Sequence, residues 1–279
     1  MMLYLCLAVL SSAMISVVMR LSTTKVRGRL SMLAVNYVTC ALLAAAYSGF
    51  RVLPIGETGF SAALGIGAAN GVLFLTSFVL FQYSTRKNGI VLSSVFMKLG
   101  LLVPVALSVF LFHETPSVFQ IVGFVLAVAA ILLINMSGER AAVSAAAVLL
   151  LLLLTGGGGD AMSKVFETVG TPALSQPFLF YTFATALVLC VALLLWRRER
   201  LGWAELLFGV LIGVPNFFSA KFLLHSLSSL PGVIVYPTYS VATILLVTLV
   251  GVLLFKERLR PLQWMAMAII LPALALLNV

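Results

Sequence analysis

Long apolar runs, separated by short gaps that hold the charged residues, Gly and Pro, take up almost the whole chain. A membrane-spanning helix needs roughly 20 consecutive apolar residues, and ten runs have about that length. They cover residues 2–20, 31–50, 60–83, 89–112, 116–135, 145–169, 173–196, 203–227, 232–255 and 261–278. The pattern predicts an all-α polytopic membrane protein with ten transmembrane helices and no soluble domain.

A repeat relates the two halves of the chain. The shift of 143 residues that places Phe112 on Phe255 also aligns other pairs, namely Gly89 with Gly232, Glu114 with Glu257, Gln120 with Gln263 and Asn135 with Asn278. We therefore divide the chain into a five-helix repeat at 1–135, a cytoplasmic linker at 136–144 and a second five-helix repeat at 145–279. Because five is odd, the second repeat is expected to be inverted in the membrane.

Basic residues lie almost entirely on one set of loops. The loops after helices 1, 3, 5, 7 and 9 carry Lys25, Arg27, Arg29, Arg86, Lys87, Arg140, Arg197, Arg198, Arg200, Lys256, Arg258 and Arg260. The opposite loops hold only Arg51. Short cytoplasmic loops are enriched in Lys and Arg. The odd-numbered loops are therefore predicted to be cytoplasmic, with both termini outside.

Composition excludes several classes of protein. Of the 279 residues, 62% are hydrophobic and 9% are charged, and the mean hydropathy is +1.19. A soluble domain cannot hide so much apolar surface, so the expected surroundings are a lipid bilayer. The net charge of +9 is explained by membrane orientation, and no nucleic-acid partner is expected. Only His113 and His225 offer histidine acid/base chemistry, so we expect no enzyme, no cofactor and no metal site.

The corners FHE and FKE end the fourth span of each repeat and precede a fifth span rich in small residues. With the ten spans and the duplication, they resemble the drug/metabolite transporter superfamily, in its ten-helix EamA-type branch. The resemblance covers the whole chain. It implies a helical bundle around a central cavity and alternating access in the plasma membrane, with substrates that range across amino acids, sugars, nucleotide derivatives, cations and drugs.

Lys98 is an ionisable residue predicted to lie at membrane depth. It is nine residues into helix 4, roughly 13 Å from the helix start, near the middle of a hydrocarbon core about 30 Å thick. Inserting a charged side chain there costs about 2.5–3.5 kcal/mol on insertion scales, so a functional or pairing role is expected for it. Either Lys98 binds an anion or acts in gating, or it is neutralised by burial or pairs with Asp160.

Helix 6 contains the run TGGGGDAMSK. Gly costs about 1 kcal/mol relative to Ala inside a helix, so the run predicts a broken helix whose amides at Gly157 and Gly158 bind substrate. Close helix packing through small residues is the alternative. Asp160, the single Asp of the chain, is a candidate for proton exchange or for a pair with Lys164 four residues later.

Further candidates are distributed over three helices. Lys221 on helix 8 either lines the cavity or snorkels to the outer surface. Asn70 and Asn216, at similar depths in equivalent helices, are predicted to line the cavity. Tyr236 and Tyr239 form either an aromatic wall of the site or part of an interfacial belt.

Two symmetry-related pairs have predicted structural roles. Glu114 and Glu257 lie at equivalent corners, where they are expected to cap or anchor helix ends. Pro104 and Pro237 interrupt the fourth span of each repeat, and each is expected to kink its helix and act as a hinge.

The predicted central field is positive, because Arg20, Lys98, Lys164 and Lys221 face one acid, Asp160. Arg20 is equally explained as an interfacial anchor. We expect an ATP-independent transporter of a small anionic or zwitterionic metabolite, driven by a proton or solute gradient. The alternatives are a cation or drug exporter, a lipid flippase and a channel. The chain is expected to work as a monomer or a homodimer.

Overall fold

The computed structural model describes residues 2–88, 90–135, 146–256 and 261–279. The predicted linker at 136–144 lies outside them, as do Gly89 and Glu257. The described residues are helical and contain no β-strand. The helices are α1 (Met2–Ser22), α2 (Arg29–Tyr47), α3 (Phe60–Asn88), α4 (Ile90–Leu99), α5 (Leu102–Phe110), α6 (Val118–Asn135), α7 (Ala146–Val169), α8 (Ser175–Arg197), α9 (Trp203–Leu227), α10 (Gly232–Phe255) and α11 (Pro261–Leu277).

Each of the ten predicted runs contains at least one helix. Among the described residues, eight spans are long and apolar enough to cross a membrane, and α11 and Val118–Leu133 of α6 are shorter apolar helices. The run at 89–112 contains two helices, α4 and α5, which together supply the apolar span Ser93–Phe110. The all-α polytopic fold class is confirmed.

Large apolar side chains point away from the protein along several helices. Leu150 and Leu151 of α7 are 54% and 49% exposed, and Leu207 of α9 is 58% exposed. Contiguous apolar surface of this kind is rare on soluble proteins. Lipid tails are as apolar as leucine side chains, so contact between them carries no free-energy penalty. The helices therefore belong to a multi-pass membrane protein.

The helices group into two compact units. Unit 1 comprises Met1–Leu75 and Met162–Ser228, and unit 2 comprises Thr76–Ala161 and Ser229–Val279. Each unit therefore combines helices from both halves of the sequence, and α3 and α7 contribute one part to each. The repeats at 1–135 and 145–279 describe the duplication of the sequence and stay a prediction.

Unit 1 is built around α9. This helix packs against α1 and α2, and α2 also packs against α8. A Cβ atom on Gly209 would lie 2.5 Å from the Cβ of Val35, and one on Gly213 would lie 2.9 Å from the carbonyl oxygen of Asn36. Glycines at these two positions let the backbones of α2 and α9 approach closely, as in other membrane helix pairs.

Two carboxylates tie loops together at one end of unit 1. Glu205 Oε1 accepts hydrogen bonds from the amides of Arg27 and Gly28 at 2.9 and 3.0 Å, and Glu199 Oε2 accepts one from Leu30 at 3.1 Å. These acids lie at the start of α2, where helical amides lack internal partners and negative charge is favoured. The loops after predicted helices 1 and 7 thus meet, as expected for two odd-numbered loops.

Unit 2 has a core formed by α6, α10 and α11. α6 packs against α4, α10 and α11, and α10 packs against α5. The buried residues of this core include Ala127, Ile131, Val241, Ile270 and Ala273. Small and branched apolar side chains therefore bring these helices together.

The corner glutamate Glu114 caps α10. Its two carboxylate oxygens accept hydrogen bonds from the amides of Gly232 and Val233, each at 3.0 Å. A carboxylate at this position satisfies amides that have no partner inside the helix. The predicted capping role of Glu114 is confirmed.

Candidate functional site

An interruption of the fourth predicted span lies next to Lys98. α4 and α5 are separated by a turn at 100–101. The cause is Pro104, which has no N–H to donate and whose ring clashes with the carbonyl group four residues earlier, at Gly100. The amide of Val103 donates to the oxygen of Gly100 instead, at 2.9 Å. The predicted kink at Pro104 therefore appears as an interruption of the α-helical hydrogen bonds at 100–101, where bonds between residues three apart replace them.

The glycine run of α7 does not unwind. α7 is continuous from Ala146 to Val169, so the prediction of a broken helix with free amides at Gly157 and Gly158 is wrong. Backbone groups at membrane depth need partners, and a continuous helix supplies them internally. The glycines serve close packing instead, because a Cβ atom on Gly157 would collide with the carbonyl oxygen of Gly100.

Lys98 and Asp160 lie close to each other in unit 2. The Lys98 side chain is exposed, Asp160 is partly buried, and the two charges interact through space. Neither side chain makes a hydrogen bond or an ion pair within 4 Å to any described residue. The ammonium and carboxylate groups therefore do not form an ion pair with each other, and Lys98 and Asp160 stay candidates for contact with a ligand.

α10 carries the two candidate tyrosines, and one of them contacts Asp160. Tyr236 is 1% exposed, and its hydroxyl donates to the main-chain oxygen of Asp160 at 2.9 Å. Tyr239 is half-buried. Pro237, which was expected to kink this helix, lies inside an unbroken α10. Tyr236 therefore joins α10 to α7, and of the two predicted aromatic candidates Tyr239 has the larger accessible surface.

Lys164 pairs with an acid that the sequence analysis did not single out. Its Nζ lies 3.0 Å from Glu167 Oε2, and the Lys164 side chain is only 9% exposed. The predicted partner was Asp160, four residues earlier. A separation of three residues also brings helical side chains together, so Glu167 could have been identified from its spacing alone.

Lys221 lies beside a cavity of about 490 Å³ inside unit 1. Its Nζ is 3.3 Å from the centroid of the Tyr47 ring. Residues from α1, α7, α8 and α9 line the cavity, among them Tyr4, Phe166, Glu167, Gln176, Lys221 and His225. Lys221 could be identified from the sequence because it is a charged residue within an apolar run. Most of the other lining residues could not, because their grouping depends on how four helices pack.

The two asparagine candidates differ in their partners. Asn216 Nδ2 donates to Asn36 Oδ1 at 3.1 Å, which links α9 to α2. Asn70 is 1% exposed, and its Oδ1 accepts no hydrogen bond from the described residues. Buried amide oxygens are normally satisfied by protein, water or ligand. Asn216 thus has a packing role, and Asn70 stays a candidate for polar contact.

The ten candidates fall in both units. Those in unit 2 are Lys98, Gly157, Gly158, Asp160, Tyr236 and Tyr239. Those in unit 1 are Asn70, Lys164, Asn216 and Lys221. Each unit therefore carries at least one lysine and one carboxylate at or near membrane depth, with Asp160 in unit 2 and Glu167 in unit 1.

Known proteins resemble this chain in sequence and in fold. An uncharacterized protein of Haemophilus influenzae is 29% identical over 281 residues, which cover 96% of this chain and 94% of that protein. A solved crystal structure with 15% identity superposes with a TM-score of 0.76 over 98% of this chain and 94% of its own, which shows a shared fold. Residues 1–136 match the EamA-like transporter family. The first 136 residues of the chain are therefore similar to the EamA-like transporter family.

Proposed function

We propose that this protein is a secondary, ATP-independent transporter that moves a small anionic or zwitterionic metabolite by alternating access. One observation carries the proposal: Lys98 and Asp160 lie together beside a broken helix inside an apolar span. A charged group at this depth costs about 2.5–3.5 kcal/mol on insertion scales. Such groups persist in membrane proteins chiefly where they bind solutes or relay protons.

The helix break supports a carrier. Broken helices at membrane depth are recurrent features of secondary transporters, where they form binding sites and allow segments to move. Pro104 interrupts the regular α-helical hydrogen bonds between α4 and α5, and bonds between residues three apart replace them at the turn. The chain has no ATP-binding motif. Energy would come from a proton gradient, with Asp160 as the exchanging group, or from exchange with a second solute.

The charges favour an anion or a zwitterion. A ligand carboxylate has Lys98 as its partner, and a ligand ammonium has Asp160. A cation or drug exporter is the second candidate, because Asp160 by itself is a plausible cation partner. A flippase or a channel has no comparable observation in its favour. We place the protein in the cytoplasmic membrane, as a monomer or homodimer, with both termini outside.

Counterflow in proteoliposomes tests the proposal. Purified protein is reconstituted with an internal pool of unlabelled solute, and uptake of 3-phenylpropionate, L-phenylalanine or phenethylammonium is followed with each solute radiolabelled. We expect saturable counterflow for the anion or the zwitterion, and its loss in Lys98→Gln. Lys25→Gln is the matched control, because Lys25 is exposed in a loop. Counterflow of the cation alone would favour the exporter, and flux without saturation would contradict a carrier.

A further inference from the structure

The cavity beside Lys221 is a second place in the molecule where a charged side chain borders a space large enough for a ligand. It encloses about 490 Å³ within unit 1, at the end where α1 begins and α9 ends. Ligand sites for small molecules have volumes of about 300–1,000 Å³. His225 and Ser228, which line it, are exposed, so the cavity opens to the outside of the fold.

The charge inside this cavity is not balanced. Lys221 is stacked over the Tyr47 ring and lies 5.9 Å from the Phe217 ring centroid, and it has no acidic partner among the described residues. Glu167 is already paired with Lys164 at 3.0 Å. One ammonium group therefore remains without a counter-charge, and an anionic ligand would supply it.

Apolar and hydrogen-bonding groups surround this charge. Tyr4, Phe166 and Phe222 form aromatic walls, and the Tyr4 ring meets His225 edge-on with centroids 4.2 Å apart. Gln176 also lines the cavity, and its Oε1 is buried without a hydrogen bond to any described residue. Aromatic walls with a few polar groups favour a ligand that has a bulky apolar body and one charged end.

We propose that this cavity binds an organic monocarboxylate with an aromatic or similarly bulky apolar body. The carboxylate binds the Lys221 ammonium, and the body packs against Tyr4, Phe166 and Phe222. The Glu167 carboxylate stays paired with Lys164, so the ligand needs no amine. This inference rests on the proposed function in one respect, namely that the bound carboxylate is the transported solute.

Equilibrium dialysis of the full-length protein in detergent tests the binding site. The probes are the three phenyl compounds used for counterflow, which share an aromatic body and differ in charge. We expect 3-phenylpropionate to bind most tightly and phenethylammonium most weakly. Lys221→Gln should weaken 3-phenylpropionate binding by about tenfold or more, whereas Lys221→Arg should retain most of it, because the charge is kept.

Lys98→Gln separates this inference from the proposed function. Its counterflow should be lost, but the 3-phenylpropionate binding that remains should weaken by about tenfold or more when Lys221→Gln is added. Lys25→Gln, in an exposed loop, is the control and should bind as the wild type does. Equal binding in Lys221→Gln and the wild type overturns the cavity site, even if transport is intact. Binding of L-phenylalanine that depends on Lys221 and is tighter than that of 3-phenylpropionate also overturns it, because Glu167 would then take part. Binding that depends on Lys221, without any counterflow, would support the site and contradict the transporter.

Discussion

Glu114 shows how one side chain fixes the corner between two helices. Its carboxylate accepts hydrogen bonds from the first amides of α10, at Gly232 and Val233. Close packing accompanies the cap, since a Cβ atom on Gly232 would collide with the Ser108 hydroxyl of α5. The corner motif FHE is thus a joint between helices, and it needs both a charged acceptor and a glycine.

Replacing Glu114 by Gln should lower the stability of the protein. A glutamine oxygen can accept from one amide, but its NH2 group cannot accept from the other, and the favourable charge at the helix start is lost. We expect a loss of about 1–2 kcal/mol. The measurement is the apparent melting temperature in detergent. Glu57→Gln in an exposed loop is the control, and equal melting temperatures for the two variants would argue against the cap.

Charged candidate residues could be predicted from the sequence more reliably than the residues with which they pair. Lys98 and Lys221 stand out because they interrupt apolar runs, and the structure places each beside a charged residue or a cavity. The partner of Lys164 was predicted as Asp160, although Glu167 is the observed one. Both spacings suit a helix. Choosing between them requires the side-chain conformations, which the pattern of residues does not contain.

Neighbouring glycines of α7 have different roles. Gly157 of α7 packs directly on Gly100, whereas a Cβ atom on Gly156 would meet only Ser77 Oγ at 3.4 Å and Met97 O at 4.0 Å. The first contact leaves no space for a methyl group, and the second is ordinary van der Waals contact. The run of glycines is therefore required at one face of α7 and tolerated at another.

Gly157→Ala and Gly156→Ala should therefore change stability in opposite directions. The new methyl group at Gly157 collides with backbone that cannot rotate away, and overpacking of this kind costs about 1–3 kcal/mol. Alanine at Gly156 has space, and its better helix propensity should stabilise the protein by up to about 1 kcal/mol. Melting temperatures of the two variants in the same detergent measure the difference. Equal shifts would show that α7 and the turn at 100–101 do not pack closely.

The existence of the helices and the interruption at Pro104 could be predicted from the sequence, but the continuity of the glycine run in α7 could not. Apolar length located a helix in each of the ten predicted runs, because a bilayer requires long apolar segments. Glycine propensity placed the broken helix at Gly157 and Gly158, whereas the break lies at 100–101. Packing decided the outcome: the glycines of α7 are supported by contact with Gly100, and Pro104 removes the hydrogen bond that would keep α4 and α5 continuous.

The two repeats predicted from the sequence differ from the two compact units that the packed helices form. The predicted repeats divide the chain near residue 140, whereas each compact unit takes helices from both halves. The predicted inversion would account for this difference, since equivalent helices of the two halves could then lie side by side. The contact of Glu205 with Arg27 and Gly28 joins loops from different halves at one end of unit 1.

The two loops that flank α2 are predicted to lie on opposite sides of the membrane. Lys25 and Glu57 lie in the exposed loops before and after α2. With 19 residues, α2 is about 28 Å long, close to the thickness of the hydrocarbon core. The two loops should therefore face opposite sides of the membrane. The positive-inside rule places the Lys25 loop in the cytoplasm and the Glu57 loop outside.

Cysteine labelling in intact cells tests this assignment. Lys25→Cys and Glu57→Cys are each made in a Cys6→Ser background, because Cys6 is exposed whereas Cys40 and Cys190 are buried. A membrane-impermeant maleimide should label Glu57→Cys in intact cells, and Lys25→Cys only after the membrane is permeabilised. The reverse pattern would place both termini in the cytoplasm, because the number of spans is even. The cavity beside Lys221, which lies where α1 begins, would then open to the cytoplasm, and it would receive solute from inside the cell.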